Sequence, residues 1–106
     1  MRRPKRRYLI FKVSGYLLNT KDVSNLLLTS LLKCYGIKGY TEALPHLVKF
    51  DEAKQAGILM CAHKGVVLIR SSLALTSSFK GRRIRLETVK VTGTLRKALR
   101  ILCSLQ

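Results

Sequence analysis

Acidic side chains are what this sequence most lacks: five Asp and Glu stand against twenty-one Lys and Arg, for a formal net charge of +16. Carboxylates this few and this scattered supply no convincing pair for general acid–base work. The two that adjoin, Asp51 and Glu52, read as a solvated turn and not as a Mg²⁺ site. Cys34, Cys61 and Cys103 lie far apart, are odd in number and show no C-x-x-C spacing, which argues against a disulfide framework and a structural zinc site. Each has apolar neighbours and is expected to be a small core residue in a reducing compartment. No apolar run approaches the ~18 residues of a membrane span. The stretch Tyr8-Leu9-Ile10-Phe11 is cut by Lys12, too soon for the apolar core of a signal peptide. A soluble, intracellular protein is expected. P-loop and G-x-G-x-x-G patterns are missing. Cys61-x-His63 would set a thiol and an imidazole on one strand face, but no orienting acid or Gly-rich oxyanion loop accompanies them. We therefore expect no catalytic residue, no metal ligand set and no cofactor bound by the protein. By itself the chain reads as non-catalytic.

What is present suffices for one core. Hydrophobic residues make up 47% of the 106 positions, an ordinary globular share, and a chain of this length is one domain. Residues 1–6 hold four cations and a proline and read as a mobile basic arm before a single domain over 7–106. Alternation over 7–14 predicts a strand with Leu9, Phe11 and Val13 on one face and Tyr8, Ile10 and Lys12 on the other. Asn19, Thr20 and Asp22 offer N-cap chemistry for a helix carrying Val23, Leu26, Leu27, Leu28, Leu31 and Leu32, which Gly36 or Gly39 should stop. After a loop through Pro45, strands over 46–50 (His46, Val48 and Phe50 on one face) and 57–62 form an antiparallel hairpin. A second helix spans 64–76 with Val66, Val67, Ile69, Leu73 and Ala74. A fourth strand over about 83–92 changes parity between Ile84/Leu86 and Val89/Val91, which predicts a bulge near Glu87–Thr88. Thr94 then caps a third helix with the stripe Leu95, Ala98, Leu99, Leu102 and Leu105. The order βαββαβ plus a helix is that of an α+β two-layer sandwich, ferredoxin-like or RRM-like, with an added C-terminal helix.

The cations fall into two blocks. Arg2, Arg3, Lys5, Arg6 and Arg7 open the chain; Lys80, Arg82, Arg83, Arg85, Lys90, Arg96, Lys97 and Arg100 close it, opposed by Glu87 alone. In this topology the first and fourth strands are neighbours, so both blocks are expected on one surface. Such charge selects a polyanion, and arginine's planar fork suits phosphate. Gly93 and Thr94 read two ways. One is a plain N-cap with a solvated first turn. The other is a phosphate site at a helix N-terminus, where Arg96 and Lys97 otherwise oppose the macrodipole. Aromatic side chains for base stacking are few: Phe11 falls on the apolar face and only Tyr8 is available, so recognition of folded RNA shape is expected rather than reading of a single strand.

Three segments carry a resemblance. Arg7-Tyr8-Leu9-Ile10-Phe11 follows a basic start; Gly57-Ile58-Leu59-Met60-Cys61 precedes a helix ending in Ser72-Leu73-Ala74-Leu75; Val91-Thr92-Gly93-Thr94-Leu95-Arg96 closes the fold. In this order and spacing, over nearly the whole chain, they resemble the Pop-five-type protein subunit of archaeal and eukaryotic ribonuclease P. The resemblance implies an α/β sandwich related to the RNA-recognition fold. It also implies a role beside the ribonuclease P RNA, which removes the 5′ leader of precursor tRNA with Mg²⁺ held by RNA. The partners it implies are that RNA, precursor tRNA, a thirty-kilodalton-class subunit with a TIM-like barrel, and a second copy of the chain, with no membrane. The wide leucine face of the first helix leaves Leu27 or Leu28 for the partner subunit, beside the plain reading of core packing. Met60 stands where relatives often carry Arg, and the basic residues after Cys61 are reduced to His63 and Lys64. Without the acidic or extended C-terminal tail of eukaryotic members, the chain looks archaeal, working in the cytoplasm.

Two rival readings share parts of this pattern. A ribosomal or other architectural RNA-binding protein would share charge and fold but needs no protein partner. A small-molecule-sensing ferredoxin-like domain needs no +16. Reversing charge at Arg82, Arg83 and Arg85 is expected to weaken RNA binding while thermal melting stays cooperative; wild-type affinity in the folded triple variant would contradict the placement of these residues.

Overall fold

In the computed structural model, which describes residues 5–15, 17–76, 78–79 and 81–105, strand β1 (Arg6–Ser14) lies inside a four-stranded antiparallel sheet. Its neighbours are β3 (Ala56–Ala62) and β6 (Arg85–Thr92), and β2 (His46–Asp51) pairs outside β3, giving the order β2-β3-β1-β6. The expected adjacency of the first and last long strands is present, and the split βαβ sandwich with its added helix is the observed fold. Leu9, Phe11 and Val13 face helices α1 (Thr20–Ala43) and α2 (Val66–Leu75), and Ile10 points to the opposite face. Leu9, Ile10 and Phe11 are all 0% exposed; side chains of this kind contribute about 1.5–3 kcal/mol each on full burial. Phe11 stacks on Phe50 at 6.1 Å between ring centroids.

Two bulges reset the faces. Between Ile10 and Phe11 the partner in β6 changes from Lys90 to Thr88, so Val89 is the extra residue. This is one position beyond the Glu87–Thr88 bend expected from parity, and it returns Val91 to the face of Ile84 and Leu86. The other bulge, at Val48, corrects the expected shared face of β2: Leu47 and Phe50 join the α1/α2 core, whereas Val48 packs on the opposite side. Between α2 and β6 a short hairpin pairs β4 (Ser78–Phe79) with β5 (Arg82–Arg83).

Helix α1 starts as expected, with the Asn19 side chain accepting from the Asp22 N–H at 2.8 Å. Gly36 stops its first segment, as expected, whereas Gly39 lies inside a second helical segment. Gly36 (φ 69, ψ −166) interrupts it, helical backbone continues to Ala43, and Leu44 caps it in the left-handed region. The continuation packs Ala43 against Gly65, where a Cβ would collide with the Ala43 backbone. A 3₁₀ turn (His63–Gly65) precedes α2. In α2, Ile69 and Leu73 are buried, while Val67 and Ala74, expected in the stripe, are exposed.

Helix α3 (Leu95–Ser104) crosses the second face of the sheet, with Ala98 and Leu102 seated on Ile10, Ala56 and Ile58. Leu95 and Leu99 of the expected stripe are each 37% exposed, and Ile101 packs instead. Lys54, in the β2–β3 turn, donates from Nζ to the carbonyls of Leu102 (3.1 Å) and Cys103 (2.9 Å). A cation there satisfies orphan carbonyls and complements the negative end of the macrodipole.

Gln55 holds the same turn to the chain entering α1. Its amide accepts from the Leu18 N–H (2.8 Å) and donates to the Leu18 carbonyl (2.9 Å) and the Glu52 carbonyl (2.7 Å). Asp51 accepts from the N–H groups of Ala53 and Lys54, as the turn reading required. Gln55→Ala is expected to destabilise the fold by about 1–3 kcal/mol, because buried Leu18 backbone groups lose their partner. Gln55→Glu sets a carboxylate oxygen against the Leu18 and Glu52 carbonyls in a buried site, so at neutral pH it should be at least as destabilised as Ala in urea denaturation. A wild-type midpoint in Gln55→Ala would contradict the pinning role.

Candidate nucleic-acid interface

One end of the sheet gathers cations from three separate parts of the chain, and strand register does the gathering. Arg6 pairs with Ala62 and Arg7 with Cys61, while Tyr8 pairs with Met60 on one side and Thr92 on the other. The start of β1 therefore lies between the ends of β3 and β6. The His63 N–H donates to the Lys5 carbonyl at 2.7 Å, extending the pairing beyond the strands. Immediately after β6 comes Gly93, where an added Cβ would lie 3.7 Å from the Arg7 guanidinium. Arg7 itself is steadied by a bond from Nη1 to the Arg6 carbonyl (3.0 Å). Thr94 caps α3 as expected, its Oγ1 accepting from the Lys97 N–H at 3.3 Å.

Lys5, Arg6, Arg7, His63, Lys64, Gly93, Thr94, Arg96 and Lys97 thus share this end; all are exposed except Arg7, which is half-buried. The first turn of α3 contains no acid, so the partial positive charge of the helix terminus adds to the side chains. Lys90 lies in register with Ile10 on the α3 face, and Arg100 is exposed on α3 itself. Tyr8, the one aromatic candidate for stacking, is half-buried against the α3 core.

The C-terminal block does not stay together. Arg85 pairs with Ser14, at the opposite end of β1 from Arg7. With a rise of about 3.3 Å per residue, these ends are roughly 20 Å apart. Arg83 and Arg85 are exposed there, and Arg82 is placed there by its backbone in β5. The single surface expected from strand adjacency becomes two because the C-terminal block spans the whole length of β6, and the antiparallel pairing sets only the end of β6 beside Arg7. Arg2, Arg3 and Lys80 lie outside the described residues.

His63 and Lys64 enter the site because β3 ends beside the start of β1. A hairpin in register with the first strand was the signal that could have found them. Arg70, exposed on α2 beside Arg85 across an open groove, has no pattern in the sequence that marks it.

The other expectations divide similarly. Leu27 belongs to the core, whereas Leu28, 40% exposed, stands outside it near Leu32 and Tyr35 on α1. Cys61 is buried, but Cys34 and Cys103 are exposed, which corrects their assignment to the core. His63 begins the 3₁₀ turn and is exposed, so it does not share a strand face with Cys61. Among the described residues no group of three or more His, Cys, Asp or Glu side chains converges, and no helix is long and apolar enough to cross a membrane.

These features define a ferredoxin-like α+β sandwich whose sheet ends in a cationic cluster. Residues 7–103 match the Rpp14/Pop5 family, and the chain belongs to it. Ribonuclease P protein component 2 of Methanocaldococcus jannaschii is 36% identical over 97 residues, covering 91% of this chain and 71% of that protein. The component of the same name from Pyrococcus horikoshii is 35% identical over 99 residues, covering 92% and 82%. A chain in the cryo-EM structure of yeast ribonuclease MRP shares the fold, with a TM-score of 0.73 at 13% identity, covering 97% of this chain and 92% of that one.

Thiol reactivity follows from the same geometry. Burial pushes the Cys61 thiol up to about 11, so it stays protonated at neutral pH and is a poor nucleophile. Alkylation of the folded protein near pH 8 is expected to modify Cys34 and Cys103, with Cys61 following only on unfolding. Mass spectrometry reads the order, and prompt modification of Cys61 would contradict its burial.

Proposed function

We propose that this protein is an RNA-binding, non-catalytic subunit of ribonuclease P, assisting the catalytic RNA in removing the 5′ leader from precursor tRNA in the archaeal cytoplasm. The observation that carries this reading is the convergence of Lys5, Arg6 and Arg7 with Gly93, Thr94, Arg96 and Lys97 at one end of the sheet, in a member of the Rpp14/Pop5 family. Family membership supports the choice of complex, and the charge supports RNA as the direct ligand.

The mechanism is electrostatic. Lysine and arginine side chains neutralise phosphates and fix the register of the RNA, releasing counterions. The exposed N-terminus of α3 offers backbone N–H groups and a positive dipole end to the same phosphates. Arg7 lies beside Gly93, whose lack of a side chain lets a backbone phosphate approach. The Mg²⁺ that cleavage requires is held by the RNA in this reading, and no step passes through a protein nucleophile. The partners are the ribonuclease P RNA, precursor tRNA and the thirty-kilodalton-class protein subunit, with self-association between copies. Exposed Leu28, Leu32 and Tyr35 on α1 support a protein interface on the helical side.

Protein purified from its source at moderate salt is expected to carry the ribonuclease P RNA, identified by sequencing. Enrichment of ribosomal RNA alone, or of no RNA, would overturn the assignment. With ~6 phosphates engaged, log K should fall against log salt with a slope of about −4 to −5. Arg7→Ala and Arg96→Ala should each make that slope shallower by about 1.

A further inference from the structure

The cations at the far end of the sheet are too distant to belong to the cluster around Gly93, and they border a groove of their own. This groove runs between the end of α2 and β6 and is lined by Arg70, Thr76, Arg85, Leu86, Glu87 and Thr88. Arg70 and Arg85 flank it from two different elements, and Arg83 is exposed just before Arg85. Glu87 lies 3.5 Å from the Arg85 guanidinium, with both side chains more than half exposed. Such a pair contributes little by itself and leaves Arg85 donors free for another acceptor.

Between the two ends β6 does not offer a continuous cationic track. Its intervening residues include buried Leu86, the Glu87 carboxylate and exposed, apolar Val89 at the bulge, before the one exposed cation among them, Lys90. A nucleic-acid backbone following β6 from Arg85 towards Gly93 would meet a like charge and then an apolar side chain. Two backbones, one at each end, meet arginine in both places.

We propose that one copy of this protein holds two RNA segments at once, one at the Arg7/Gly93/Arg96 end and a second by its phosphodiester backbone in the Arg70/Arg85 groove. The inference rests on the RNA-binding reading above and adds a second surface, with Arg70 as a contact that sequence order did not suggest. In the assembled particle the sheet becomes a rigid spacer setting the separation of two RNA strands by roughly 20 Å.

The test uses the full chain and short synthetic RNA hairpins carrying donor and acceptor dyes. Energy transfer between hairpins and sedimentation mass are read at near-physiological ionic strength. The expected wild-type complex holds two hairpins per protein. Arg70→Glu with Arg85→Glu is expected to reduce this to one, as is Arg7→Glu with Arg96→Glu and Lys97→Glu; all five changes together should abolish binding. Glutamine versions of the same sets, with melting as a check on folding, should reproduce the stoichiometries with smaller losses. A wild-type complex of one hairpin per protein, or of two proteins with two hairpins, would overturn the two-surface inference and leave the RNA-binding reading standing. So would an Arg70/Arg85 variant that still holds two hairpins. No binding by the wild-type protein would overturn the RNA-binding reading itself.

Discussion

The double pairing of β1 governs this structure. Both edges of the strand are hydrogen-bonded, to β3 and to β6, and both faces are buried at Leu9, Ile10 and Phe11. An N-terminal segment placed at the centre of a sheet carries its flanking cations with it, so Lys5 to Arg7 cannot trail away from the domain. They are held beside the ends of two strands that come much later in sequence. The repulsion this creates within a chain of charge +16 is borne by the apolar core, and screening ions or a polyanion relieve it.

Helix α3 gives the sheet a second covered face. In a four-stranded RNA-binding sheet of the usual kind, aromatic side chains on the open face stack on bases. Here Ile10 and Ile58 on that face are buried beneath Ala98 and Leu102, with Tyr8 half-buried beside them. Lys54 secures the far end of the helix. The sheet surface is therefore used for packing, and the polar chemistry moves to its rims. Both faces of the sheet are thus covered, and its exposed cations stand at the rims.

Local signals in the sequence were read well where one residue acts on its neighbours. Alternation placed Leu9, Phe11 and Val13 together; Asn19 and Thr94 cap the helices that follow them; the hairpin of β2 and β3 forms as its short turn required. Features set by long-range geometry were less legible. The bulge at Val48 moves Phe50 to the other face because β2 must stay in register with β3. Gly36 breaks α1 as its position predicted, but the second helical segment, which runs on to Ala43 and packs against Gly65, had no such local mark. Cys34 and Cys103 have apolar sequence neighbours yet lie on outer helix faces, where period rather than local composition decides burial. The C-terminal cations divide between two ends because they lie before and after the length of β6: adjacency of β1 and β6 was legible, but it brings together only the start of one and the end of the other.

A strand that is synthesised early and completed late has consequences for how the chain acquires its structure. Until residues 85–92 have emerged from the ribosome, β1 has no partner on one edge, and Ile10 lacks the cover of α3. The contacts that complete the fold are separated by most of the chain length, which slows folding because loop closure precedes any reward. An unpaired, apolar edge is a template for association with other chains. The flanking cations also serve in this interval: like charges beside the open edge repel a second nascent copy before β6 arrives to close it.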